Sequence, residues 1–160
     1  MKRLLSLAAL IALLLMPVCA WAVTGTIVPS YSPGFISIGG QPARLVLTLT
    51  CTGAADNGSF PATGNAIINP DTLEIRGWYL YSVEFKYGTT TPNAYSIKAV
   101  DSLGNDKLKS ALLTRTTASA SIVYMGSVGY PTMNSNWTWT ITGNSTASAV
   151  IVCELTFVSN

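Results

Sequence analysis

The sequence predicts an all-β protein, an antiparallel β-sandwich of about eight strands and jelly-roll-like, with a closed barrel as the alternative. Two observations carry the prediction. Apolar and polar residues alternate through short segments bounded by Gly, Pro, Asn and Asp, as in ARLVLTLTC and WTWTIT, and a period of two places alternate side chains on opposite faces of a strand. No long stretch repeats with helical spacing; the single helical candidate is DKLKSALLTR, 106–115, where Leu108, Leu112 and Leu113 would share a face and an irregular loop is the other reading.

The chain opens with MKRLLSLAALIALLLMPVCAWA: basic residues, an apolar run, then the small residues of Ala20-Trp21-Ala22. That order predicts a secretory signal peptide over 1–22, with a single domain over 23–160 and a secreted or periplasmic location. A membrane anchor would need about 20 uninterrupted apolar residues, and Pro17 breaks this run. A lipoprotein reading would use Cys19, but Pro17 and Val18 stand where small residues should precede such a cysteine. Removing 22 residues from 160 leaves 138, enough for one core. It also removes Lys2 and Arg3 from nine basic residues, leaving seven against seven acidic ones. A chain without net charge or a basic cluster carries no footprint for nucleic acid.

The strands expected in order are Thr26–Val28, Phe35–Ile38, Ala43–Thr52, Leu73–Tyr87, Ala94–Val100, Ser119–Met125, Trp137–Thr142 and Ala149–Val158. Leu45, Leu47, Leu49 and Cys51 share one face, as do Trp137, Trp139 and Ile141, and as do Ile151, Cys153, Leu155 and Phe157. In EIRGWYLYSVEFKYG the odd positions Tyr79, Tyr81, Val83 and Phe85 form the apolar row and are expected in the core, with Tyr87 at its end reaching water. Trp78 and Leu80 then stand on the polar face beside Arg76. Those three residues are the candidate interaction patch, for a protein contact or a glycan, unless the loop 102–115 folds over them.

Cys51 and Cys153 both fall on predicted inner faces, and in an exported chain an even pair of cysteines predicts a disulfide tying the first long strand to the last. Two buried free thiols are the alternative. The chain contains no His, so no metal site of the usual His/Cys type, cofactor or Ser-His nucleophile is expected. The acids are scattered: Glu74 and Glu84 are about 33 Å apart along one strand at about 3.3 Å per residue. The Asp101–Asp106 turn resembles a calcium loop without its alternating Asp pattern or terminal Glu. Acids in such turns more often bond their own backbone. The sequons at Asn57, Asn136 and Asn144 matter only in a eukaryotic secretory route. No enzyme is expected.

The succession NGSFPAT, IRGWYLYSVEFKYGTTTPNAYSIKAVDSLGNDKL, LLTRTTAS and WTWTITGNSTASAVIVCELTF resembles the small β-rich structural proteins encoded by tailed phages and prophages. The likeness lies in turns: Gly88 to Asn93, Asp101 to Asp106, Thr114 to Thr117, and the final Gly-Asn-Ser-Thr hairpin. It implies a virion-associated role carried by surface packing and supplies no active-site residues. A leader peptide departs from that family, whose members assemble in the cytoplasm. The expected function is therefore a secreted structural or surface-interaction protein acting by contact with itself or other subunits. A carbohydrate-binding module is the alternative. A glycan reader would leave two or three rings coplanar and exposed; an assembly protein would show a flatter mixed patch.

Overall fold

A computed structural model describes residues 25–35, 42–61, 67–112, 115 and 121–159. The leader 1–22 with Cys19, the expected strand residues 36–38, and Leu113 of the helical candidate lie outside the described residues.

Among the described residues eight strands form two antiparallel sheets: β1 (Thr26–Phe35), β2 (Arg44–Thr52), β3 (Ile67–Ile68), β4 (Tyr79–Tyr87), β5 (Ser96–Asp101), β6 (Ser121–Tyr124), β7 (Trp137–Thr142) and β8 (Val150–Val158). The larger sheet has the order β1-β2-β8-β4-β6 and the smaller β3-β7-β5. The strands stay in two open sheets, so the sandwich is formed and the barrel is not. Strict alternation explains why β2 and β7 sit as they do: Leu45, Leu47, Leu49 and Cys51 turn inward from one sheet, Trp137, Trp139 and Ile141 from the other. Facing rings close the core, with Trp137 and Phe157 centroids 6.5 Å apart.

The helical candidate is not a helix. Residues 102–112 are turns that run along β5, where Lys107 N–H donates to Ala99 O and Ile97 N–H to Leu112 O. The Asp106 carboxylate takes Leu108 N–H and Ser110 N–H at 3.1 Å each, and Lys109 and Ser110 have φ of 45° and 66°. The side chain competes for backbone donors that a helix would need. Leu108 and Leu112 are buried nonetheless, so their spacing reported burial but not period.

At one end of the sandwich, buried Asn144 holds three turns together. Its amide donates to Gly58 O at 2.6 Å and Thr146 O at 3.0 Å, and its carbonyl accepts from Asn93 N–H at 3.2 Å. Gly58 is obligatory there: its φ is +70°, and a Cβ would lie 2.5 Å from Thr146 O.

Candidate functional site

The structure disperses the expected patch. Arg76 is exposed and committed locally, its guanidinium bidentate on Asp71 at 2.7 and 2.6 Å and donating to Asn134 O at 2.7 Å. Trp78 is half-buried and packs against the core. Leu80 is fully buried. Segment 131–133 bonds to this region: Leu80 N–H donates to Pro131 O, and Met133 N–H to Trp78 O.

The cause is a bulge. Leu80 opposes Phe157 on β8, yet Ser82, two residues on, opposes the neighbouring Thr156, so Tyr81 is the extra residue and the parity of the strand reverses there. Before it the even position, Leu80, points inward; after it the odd positions, Val83 and Phe85, do. Tyr81, expected in the core, is 41% exposed. Strand β4 also begins at Tyr79 and not at Leu73, because 69–78 is a run of turns with Glu74 and Gly77 at positive φ. A signal existed in the sequence: Leu80 and the pair Val83/Phe85 are all apolar and cannot share a face without an extra residue between them.

Turned outward, Tyr81 meets two other rings. It stacks on Tyr130 with centroids 5.8 Å apart and planes 3° from parallel, and meets Tyr124 edge-on at 5.6 Å. Tyr130 follows the 3₁₀ turn Met125–Val128 and Gly129, and holds φ of 47°, a left-handed conformation costly for a residue with a Cβ. Gly126 makes room for its hydroxyl, since a Cβ there would lie 3.0 Å from Tyr130 Oη.

Beside the rings the outer face of the large sheet holds a groove of about 380 Å³. Register defines its floor: Ser82 opposes Thr156 on one side and Tyr124 on the other, so two hydroxyls and a ring lie in one row across β8, β4 and β6. Arg44 lines it, donating to Thr156 Oγ1 at 3.3 Å, and Glu84 and Ile122 line it from the next row. Glu84 and Glu154 stand directly opposite each other, with Lys86 Nζ 3.6 Å from the first and 2.7 Å from the second. The two acids are 70 residues apart in the chain, so no local pattern could pair them.

Cys51 and Cys153 are both buried, and no disulfide joins them in the structure. In the register Cys51 opposes Ile151 and Cys153 opposes Leu49, so the two are diagonal neighbours on the inner face. Burial pushes the Cys153 thiol well up, the adjacent Cys51 adds to this, and Trp139 and Arg115 act against it. Arg115 lies over the Phe85 ring at 4.4 Å and donates to Ser121 Oγ. Close by, Tyr87 and Tyr95 share a hydrogen bond of 2.7 Å between hydroxyls, and burial raises Tyr95 far above the usual phenol range. The Tyr87 hydroxyl thus meets a partner inside the protein.

The Asp101 turn binds itself. One carboxylate oxygen accepts from Leu103 N–H and Asn105 N–H at 2.9 Å each, and Lys107 Nζ sits 2.8 Å from the other. Its position is filled by an ammonium. Among the described residues no group of three or more His, Cys, Asp or Glu could hold a metal ion, and no helix is long and apolar enough to cross a membrane.

No protein-family model matches the sequence, and no curated protein matches it significantly.

Proposed function

We propose that the chain is an exported structural or surface-interaction protein, resembling the virion accessory proteins of tailed phages, that works by contact with copies of itself or with other structural subunits. One observation carries this reading. Strand β1 is an edge strand of ten residues, paired among the described residues only with β2. Its Val28 is more than half exposed on one face; on the other, Tyr31, with Ile67 of β3, is more than half exposed around a cleft of about 230 Å³ floored by Leu47, Leu49 and Ile68. Long edges with apolar side chains are templates for pairing with another chain. Chromatography with light scattering on the chain from Val23 onward should give an oligomer that Val28→Lys shifts toward monomer. A stable monomer across micromolar concentrations overturns the reading.

Surface contact, not catalysis, also suits the acids. Asp71 is tied to Arg76, Glu84 and Glu154 to Lys86, and Asp101 to Lys107. Export is tested by N-terminal sequencing of the secreted product, which should begin at Val23; a retained leader contradicts it. In an oxidising compartment a thiol oxidant would take the two thiol hydrogens and join the Cys51 and Cys153 sulfurs, already neighbours across β2 and β8. Mass spectrometry without reductant should show 51 and 153 linked; two alkylatable thiols retire the bridge. Carbohydrate binding is the second reading, favoured by the exposed rings of Tyr81, Tyr124 and Tyr130.

A further inference from the structure

We infer that the groove bounded by Tyr81, Tyr124, Arg44 and Glu84 binds a neutral pyranose oligosaccharide, seated on the hydroxyl floor of Ser82 and Thr156. The inference rests on the second reading above and gives it a site and a ligand class.

The groove is concave and about 380 Å³ in volume, within the range of about 300–1,000 Å³ typical of small-molecule sites. Its lining is amphipathic in the way a sugar is. A pyranose presents a C–H face and a rim of hydroxyls that both donate and accept. Tyr81 and Tyr124 both line the groove, set 75° apart, and bring aromatic carbon to the C–H surface. Arg44 supplies donors, and it is paired with no carboxylate among the described residues: it donates to the Thr156 hydroxyl at 3.3 Å. Glu84 supplies acceptors. The two charges are opposite, so a neutral ligand leaves the groove balanced.

Ser82 belongs to the floor: it is only 8% exposed and lines the groove, where its hydroxyl can both donate to and accept from a sugar hydroxyl. The left-handed backbone at Tyr130 fits the same assignment. It holds a third ring parallel to Tyr81 and so fixes the ring that would carry the sugar. Ring stacking of this kind keeps a binding surface rigid before the ligand arrives.

The test uses the chain from Val23 onward and four probes: cellotetraose, chitotetraose, mannotetraose and tetragalacturonate, titrated to millimolar concentration by calorimetry and by ligand-observed NMR. The expected result is saturable binding of at least one neutral tetrasaccharide. Tyr81→Ala and Tyr124→Ala should each weaken it by about fivefold or more, while Leu103→Ala, in the exposed turn after β5, leaves it unchanged. Each variant is first shown to keep the parent's circular dichroism. Binding of none of the neutral probes, binding of tetragalacturonate alone, or binding that survives both tyrosine substitutions overturns the proposal. Loss of oligomers in chromatography removes only assembly through β1 and does not touch this result.

Discussion

Asp101 shows how one side chain can look like a ligand and serve as a staple. The Lys107 ammonium, then the Asn105 and Leu103 amides, hold its carboxyl well below the usual carboxylate range. An acid that is stronger folded than unfolded binds fewer protons in the native state, so it contributes stability above its unfolded pKa of about 4, and that contribution drains away as pH falls below it. Thermal melts from pH 6 to pH 2 should show Tm falling on acidification, and Asp101→Asn should lower Tm at neutral pH while flattening part of the acid decline. Asn144 is a second residue whose weight lies in its bonds. Asn144→Ala leaves the Gly58 and Thr146 carbonyls without their donor and should cost about 1–3 kcal/mol in a denaturant titration. The sequence placed Asn144 between two strands, but not in the hairpin expected there, because β7 and β8 lie in different sheets. Its grip on Gly58, 86 residues away, had no local trace.

Among the elements, the regular strands were legible and the irregular ones were not, for one physical reason. Periodicity reads a face only while register is unbroken. Strands β2, β7 and β8 are uninterrupted, and their inner residues were all assigned from the alternation of sequence. Strand β4 contains the bulge, so the same count inverted the assignments of Leu80 and Tyr81. Strand β3, two residues long, is too short to show any period. The inversion has a direct test. Leu80→Ala should cost about 2–5 kcal/mol, whereas Tyr81→Ala should change stability by less than about 1 kcal/mol, both read from urea midpoints. Equal costs would mean that the bulge is elsewhere. The candidate site suffered from the same break, because its rings come from β4, β6 and the turn after β6, which meet only once the parity of β4 has reversed.

In the molecule as a whole, the large sheet has two different margins. One is the long β1 edge with its apolar cleft; the other is the short β6 margin with its tyrosines and groove. An assembly through the first leaves the second open to solvent, so the contact reading and the glycan reading are compatible in one protein. Composition, with nine basic residues against seven acidic ones and no His, could not locate either margin.

The last strand of the chain, β8, occupies the middle of the large sheet, where it is the shared neighbour of β2 and β4. Until those final residues arrive, the two halves of that sheet have nothing to join them, and pairings spanning about a hundred residues form slowly. Closure of the large sheet by β8 is therefore its slow step.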